Sequence, residues 1–262
     1  MSISLENYNI IKQQTPLANT LFNTEDILET VIETNNYIIE LTKLSKQKDF
    51  DLFDVLGQRN LSGLIGEIFS SFFCQKFKDF VKNPHPDGRP DILNLMSQEA
   101  KQYYYNECFQ STDNKQRPIK TKLSPFPYDG IEVKCTIGNS ISNYKNKLEK
   151  DTGQRAFKIG MSRINYLSDL VWWAHHTHSR SLLGLYYDYY SKENNVPQIL
   201  AIFYSNLDVN DWSKVSLGNP TSKKTSNTSL NKEGKEKMKK NCLLVINDEV
   251  YINKFKDIGI PL

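Results

Sequence analysis

Residues 131–136 have the sequence IEVKCT, in which β-branched and charged residues alternate. This alternation is typical of a β-strand. Successive side chains of a strand point to opposite faces of its sheet, so Glu132 and Lys134 share one face and their apolar neighbours share the other. Two charges on one face of an apolar strand are costly to bury, but they are understandable where that face lines a cleft or a metal site.

A second short strand is predicted to begin at Asp91, directly after the turn-rich sequence NPHPDGRP at residues 83–90. If the two strands are neighbours, opposite residues lie about 5 Å apart. Asp91 and Glu132 can then share one divalent cation, and two carboxylates with water and a phosphate oxygen are what Mg²⁺ accepts. Asp87, in the other Pro-Asp pair of the turn, is an alternative ligand. A surface aspartate beside a strand with a salt-bridged Glu and Lys is the purely structural alternative.

The rest of the chain predicts a mixture of helices and strands. Helices are expected at 24–48, where Asn23 is the candidate N-cap, at 61–81, and in a Lys-rich stretch at 229–240. Buried strands are expected at 170–176, 182–190, 198–207, 242–246 and 250–252. A short helix is the alternative for 198–207, because periodicity does not distinguish the two there. This order predicts an α/β (α+β) fold with a mixed central β-sheet flanked by helices.

Length and composition favour a single domain over residues 1–262, with 39% hydrophobic and 24% charged residues. We divide it into an N-terminal helical part (1–60), a core (61–207) with a polar insertion, expected to be a loop or hairpin (97–127), and a basic C-terminal part (208–262). No apolar run reaches the ~18 residues of a membrane-spanning helix. No secretory signal is visible, and the four cysteines form no CxxC pair, so a cytoplasmic location is expected.

The charge of the chain is unevenly distributed. Residues 218–240 contain seven Lys and two Glu, whereas the whole chain has a net charge of only +3. A basic segment on a near-neutral body favours a polyanionic partner, although a solvated loop is an equally simple explanation. Its candidate phosphate contacts are Lys223, Lys224, Lys235, Lys237, Lys239 and Lys240.

Pro90-Asp91 and Glu132-Val133-Lys134, each on a predicted strand and preceded by a helix that carries Glu67, resemble the motif of the PD-(D/E)xK nuclease superfamily. The size, the single domain and the aromatic strands after the motif are most similar to a type II restriction endonuclease. The motif lies within residues 61–136. Its two halves are 41 positions apart, which is longer than usual in the family because of the insertion.

The resemblance implies a restriction-endonuclease-like fold and Mg²⁺-dependent hydrolysis of double-stranded DNA at a short sequence, leaving 5′-phosphate ends. It implies that Asp91 and Glu132 are metal ligands. Lys134 would position or help deprotonate the attacking water and offset negative charge in the transition state. Glu67 would be an accessory acidic residue, or simply a solvated one. A homodimer, a cognate DNA methyltransferase as genetic partner and a bacterial cytoplasmic location are also implied.

The polar segment 138–165 is the candidate DNA-recognition segment. It contains residue types that read base edges, because Arg pairs with guanine and Asn or Gln pairs with adenine. A solvated polar loop is the alternative. The candidate DNA-binding residues are Asn139, Asn143, Gln154, Arg155 and Arg163.

Three histidines, His175, His176 and His178, lie close together in the sequence. A zinc site is conceivable, but no Cys or carboxylate is spaced to complete four ligands. Polar residues at a strand end are the favoured interpretation.

Two alternatives to a restriction enzyme remain open. One is a structure-specific repair or recombination nuclease of the same superfamily. The other is a non-catalytic nucleic-acid-binding module in which Glu132 and Lys134 are structural. The polar insertion and the Asn/Arg-containing segment fit a sequence reader slightly better.

Overall fold

The computed structural model describes residues 3–112, 115–175, 177, 180–216 and 227–262. Its central element is a seven-stranded β-sheet. The strands of the described chain are β1 (Tyr8–Ile10), β2 (Gln14–Leu17), β3 (Thr20–Asn23), β4 (Phe80–Lys82), β5 (Ile92–Asn94), β6 (Phe109–Thr112), β7 (Lys115–Pro118), β8 (Gly130–Thr136), β9 (Asn139–Ser140), β10 (Leu167–Asp169), β11 (Trp173–Ala174), β12 (Ser181–Tyr190), β13 (Val196–Asn206), β14 (Thr228–Ser229) and β15 (Cys242–Ile246). The order of the strands in the seven-stranded sheet is β1-β15-β13-β12-β8-β5-β4.

Helices accompany this sheet along the chain. Their bounds are α1 (Thr24–Lys46), α2 (Leu52–Val55), α3 (Gln58–Lys76), α4 (Gln98–Glu107), α5 (Lys120–Leu123), α6 (Tyr144–Thr152), α7 (Lys232–Lys239) and α8 (Glu249–Asp257). The sheet is mixed, since β8 and β12 are parallel and the other neighbours are antiparallel. The predicted α+β fold with a mixed central sheet is therefore confirmed. Within the described residues, no helix combines the length and the apolar composition that a bilayer span requires.

The two strands predicted to carry the acidic residues are direct neighbours. In their antiparallel register Ile92 is opposite Ile131 and Leu93 is opposite Gly130. Asp91 therefore precedes β5 at the position opposite Glu132. Along its other edge β8 pairs with the long, fully buried strand β12, so the candidate motif lies on an interior strand of the sheet.

Two long helices support this part of the sheet. Helix α1 begins where expected, because the Asn23 side chain accepts a hydrogen bond from the Glu25 amide. Helix α3 packs on β8 through a small residue: a Cβ atom added at Gly66 would lie 3.4 Å from Cys135 Sγ. This contact is made with the face of β8 that carries Val133 and Cys135. The next residue, Glu67, lines the same cleft as Asp91 and Lys134.

Several local predictions were wrong, and packing explains them. The helix predicted at 61–81 ends at Lys76, because Phe80 joins an aromatic cluster with Phe22 and Phe73 from strand β4. Of the stretch 170–176, β11 includes only Trp173–Ala174. The fully buried Trp172 belongs to the core without being part of a strand. The stretch 250–252 lies in α8, whose Asp248 N-cap accepts from the Val250 amide.

Other regions contain elements that the sequence patterns did not indicate. The N-terminal part includes strands β1, β2 and β3 before its helices, and the segment 138–165 contains helix α6. The insertion 97–127 is more than a loop or hairpin, because it also contains α4 and α5. It has a small core of its own, formed by Leu93, Leu95, Ala100, Cys108, Leu123 and Phe126.

The carboxylate of Asp188 is buried within β12 and ties three parts of the fold together. It accepts hydrogen bonds from Ser162 Oγ at 2.7 Å and from the backbone amides of Arg163 and Ile164 at 3.0 and 3.1 Å. Tyr251 of α8 donates a further one at 3.2 Å. Burial nevertheless outweighs these donors and raises the pKa of Asp188 to about 6.

This carboxylate gives a pH prediction. A folded pKa above the unfolded value means that the contribution of Asp188 to stability is present below the unfolded pKa and is lost as the pH rises through about 6. Relative to Asp188→Asn, the unfolding free energy of the wild type should fall by on the order of 2 kcal/mol between about pH 4 and pH 7. Urea denaturation of both proteins across that range measures the difference. A constant or rising difference would contradict the assignment.

Candidate active site

Asp91, Glu132 and Lys134 meet at the junction of β5 and β8. The Lys134 ammonium lies 2.7 Å from Glu132 Oε1 and 3.1 Å from Asp91 Oδ2. Asp91 Oδ2 also accepts a hydrogen bond of 2.8 Å from the backbone amide of Val133. The last contact holds the Asp91 side chain against β8. Asp91, which is 41 positions before Glu132 in the sequence, thus joins Glu132 and Lys134 in one charged cluster.

Burial differs within the cluster and determines its electrostatics. The Glu132 side chain is only 5% exposed, whereas those of Lys134 and Asp91 are 24% and 37% exposed. Burial, followed by repulsion from Asp91, raises the pKa of Glu132. Burial lowers the pKa of Lys134, but attraction to Glu132 and Asp91 outweighs it and the net pKa lies above the usual value. Lys134 is therefore a protonated cation in this arrangement.

The cluster opens into a cleft of about 590 Å³ between α3 and the turn before β5. Asp91 and Lys134 are in its wall, and Glu67 lines it from α3. The Glu67 side chain is 70% exposed and pairs with Lys82 at 2.5 Å. Glu67 thus lies beside the same cleft but is neutralised by its own lysine. Its accessory role remains a prediction.

A second cleft of about 730 Å³ lies on the Glu132 side of the cluster. Glu132 lines it together with Arg89, Arg180 and Tyr128. Arg89 opposes the rise in the pKa of Glu132, which places positive charge near this carboxylate. The candidate cluster is therefore reachable from two clefts that both contain cationic side chains.

The structure separates the two candidate aspartates. Asp87 lies on the exposed turn, where it pairs with Lys120 at 2.9 Å and is 65% exposed. This lysine lowers the pKa of Asp87. Asp91 alone of the two contacts Lys134 and the β8 backbone. The preference for Asp91 as the candidate ligand therefore has a geometric basis.

Asn83 holds this turn in place and was not singled out from the sequence. Its amide nitrogen Nδ2 donates to the carbonyl oxygens of Pro90 and Leu123, both at 3.0 Å. Its backbone amide donates to the Asp91 carbonyl at 2.8 Å. The available sequence signal was an asparagine directly before the Pro-rich turn with its two Pro-Asp pairs. Half-buried in the structure, Asn83 fixes the backbone on both sides of this turn.

The cluster fits a hard divalent cation in the chemistry of its donors. One carboxylate oxygen of Asp91 and one of Glu132 both contact the Lys134 ammonium, which lies between the two side chains. Carboxylate oxygens are the protein ligands that Mg²⁺ prefers. No group of three or more His, Cys, Asp or Glu residues in the described ranges is arranged to hold a metal ion. A cation here would rely on these two carboxylates and on non-protein oxygens.

The residues predicted to bind DNA lie away from this cluster. None of the five lines either cleft in the described part of the chain. Arg155 is 88% exposed and pairs with Glu149 at 3.2 Å. Arg163 is partly buried, with its guanidinium 4.6 Å from the centre of the Phe157 ring. Asn139 starts β9, Asn143 precedes α6 and Gln154 follows it, so their DNA-binding role stays a prediction.

Three lysines of helix α7 form ion pairs with aspartates of the same chain. Lys235 and Lys239 contact Asp169 at 3.0 and 2.7 Å, and Lys237 contacts Asp211 at 2.8 Å. These ion pairs reduce the charge that α7 offers to a phosphate backbone. Lys240 is exposed, whereas Lys223 and Lys224 lie outside the described residues. His175 lines the cleft beside Asp91, and His176 and His178 are outside the described residues.

Comparison with known proteins finds one distant similarity. A DNA topoisomerase 3 from Staphylococcus haemolyticus (strain JCSC1435) is 21% identical over 149 residues, which are 55% of this chain and 20% of that protein. The chain thus spans about one fifth of the relative's length. No protein-family model matches the chain, and no solved structure gives a significant match.

Proposed function

We propose that this protein is a Mg²⁺-dependent, sequence-specific endonuclease of double-stranded DNA of the type II restriction kind. The observation that carries the proposal is the convergence of Asp91, Glu132 and Lys134 from two adjacent strands at the edge of a cleft. Paired carboxylates with one ammonium suit phosphodiester hydrolysis, in which an anionic substrate becomes more negative in the transition state.

Each residue has a defined part in this proposal. Asp91 and Glu132 would hold Mg²⁺, which when bound polarises the scissile phosphate and lowers the pKa of a water. Lys134, kept protonated by its two acidic neighbours, would place positive charge beside the phosphate oxygens and orient the water. Val133 would keep Asp91 in position through its backbone amide. A protonated lysine fits charge stabilisation better than proton removal.

The distant relative supports the coarser part of the proposal. It is named as a DNA topoisomerase, so its substrate is DNA. The similarity supports a DNA-processing role for this chain and gives no information on sequence specificity. The motif and the polar insertion are the reasons for choosing a restriction enzyme.

A homodimer and a methyltransferase complete the proposal. A two-fold pair would place one cluster on each strand of a palindromic site, which is how a symmetric enzyme cuts both strands. A methyltransferase of the same specificity would protect the DNA of the host. Sedimentation of the protein with and without DNA measures the first of these.

The deciding experiment is digestion of a plasmid of known sequence with Mg²⁺, with an EDTA control. Discrete fragments with 5′-phosphate ends are expected with Mg²⁺, and uncut plasmid is expected with EDTA. Cutting only at flaps, junctions or lesions in branched substrates would favour the repair nuclease instead. Binding that is indifferent to Mg²⁺, without any strand scission, would favour the non-catalytic module.

A further inference from the structure

The insertion between the two motif strands carries an exposed two-stranded ribbon. Strands β6 and β7 pair in the register Gln110↔Arg117 and Ser111↔Gln116. They belong to a separate two-stranded sheet and do not join the central sheet. The described side chains from residue 110 to residue 117 are all exposed. This ribbon therefore has no packing role along most of its length.

The register sorts the ribbon side chains into two faces. Directly opposite residues of an antiparallel pair share a face, and the face alternates along each strand. Gln110, Lys115 and Arg117 share one face. The other face includes Phe109, whose ring packs edge-on against Tyr104 at 5.2 Å and attaches the ribbon to the core of the insertion. The first face thus points away from the insertion and carries two cations and an amide.

The segment that follows the ribbon is hydrogen-bonded to the turn before Asp91. The backbone amide of Arg89 donates to the Leu123 carbonyl at 2.8 Å, and the amide of Phe126 donates to the Arg89 carbonyl at 2.9 Å. Asn83, which holds Asp91, also bonds the Leu123 carbonyl. The segment after the ribbon is therefore tied to the turn that positions Asp91.

We propose that the β6–β7 ribbon is the sequence-reading element and inserts into the major groove of double-stranded DNA through Gln110, Lys115 and Arg117. The major groove is wide enough for a two-stranded ribbon. Arg recognises guanine and Gln recognises adenine through paired hydrogen bonds, while Lys binds guanine or phosphate. The proposal rests on the nuclease function and assigns recognition to the insertion, in place of the segment 138–165.

The test is selection of bound DNA from a library of 40-base-pair duplexes with a randomised centre, with Ca²⁺ in place of Mg²⁺. The variants are Gln110→Ala, Arg117→Ala and Lys115→Ala, compared with the wild type. The wild type is expected to enrich a defined motif. Each of the Gln110 and Arg117 changes should weaken binding to that motif by on the order of 10- to 100-fold and relax the base preference at one position. Binding to unrelated duplexes should change little.

Two control variants sharpen the result. Lys101→Ala removes a cation from α4 of the same insertion, where Lys101 pairs with Asp79 at 2.8 Å, and should leave the enriched motif unchanged. The second variant, Arg155→Ala, tests the competing recognition segment 138–165 directly, and the ribbon proposal predicts that it does not alter the motif. Loss of the motif on Arg155→Ala with retention on Arg117→Ala would overturn the proposal. Failure of the wild type to enrich any motif would overturn it too.

The selection and the plasmid digest fail independently. A protein that enriches a motif but cuts no plasmid keeps the reading role of the ribbon and loses the nuclease function. A protein that cuts with Mg²⁺ at a motif unaffected by the ribbon variants keeps the nuclease function and loses this inference.

Discussion

Asp91→Asn and Lys134→Met, made separately, are expected to lower the rate of Mg²⁺-dependent plasmid cleavage by at least ~10³-fold. Asparagine keeps the shape of Asp91 and can still accept the hydrogen bond from the Val133 amide, but it removes the charge that would hold a cation. Methionine keeps much of the length of Lys134 and removes the ammonium shared by the two carboxylates. Initial cleavage rates at saturating enzyme measure the effect.

A second Asp–Lys ion pair, between Asp87 of the neighbouring turn and Lys120 of α5, provides the control. Asp87→Asn and Lys120→Met break an exposed ion pair of 2.9 Å and should leave the cleavage rate within a few-fold of wild type. Thermal unfolding of all four variants separates loss of chemistry from loss of fold. If Asp91→Asn retains wild-type activity, or if Asp87→Asn abolishes it, the assignment of the candidate active site is wrong.

Gly130→Ala is expected to damage both stability and cleavage. A Cβ atom at Gly130 would lie 2.1 Å from the backbone oxygen of Ile92 and 2.5 Å from Pro90 Cγ. Neither atom belongs to a flexible side chain, so β5 and β8 must separate. We expect a loss of about 3 kcal/mol or more of unfolding free energy, because the clash is with backbone. Cleavage should fall by more than ~10-fold even in folded protein, since Asp91 moves relative to Glu132.

Gly57→Ala is the matched control for this change. Gly57 is the N-cap of α3, has an ordinary negative φ of −59°, and has nothing within 4 Å of an added Cβ. The cost there should stay below about 1 kcal/mol. Equal urea denaturation midpoints for Gly130→Ala and wild type would show that the pairing of β5 with β8 tolerates a side chain at residue 130. The expectation that a side chain at Gly130 displaces Asp91 from Glu132 would then be wrong.

The local patterns of the sequence determined a large part of the fold. Alternation in residues 131–136 gave a strand, and apolar spacing with an Asn23 cap gave α1, because these signals depend on neighbouring residues alone. The Glu132-x-Lys134 spacing also ensured that both groups can meet on one side of a strand. Where an apolar segment was as short as 250–252, the same signals could not distinguish a strand from a helix.

Tertiary structure alone decided which residues meet. Local sequence cannot show that β5 pairs with β8 across the insertion, because that pairing depends on packing between distant segments. The same packing places Asp91, and not Asp87, beside Lys134, buries Glu132 and raises the pKa of Lys134 through its two acidic neighbours. It also exposes the β6–β7 ribbon. The sequence by itself determined which chemical groups are present and which way they face along each strand. Long-range packing determined the distances between them, on which any shared chemistry depends.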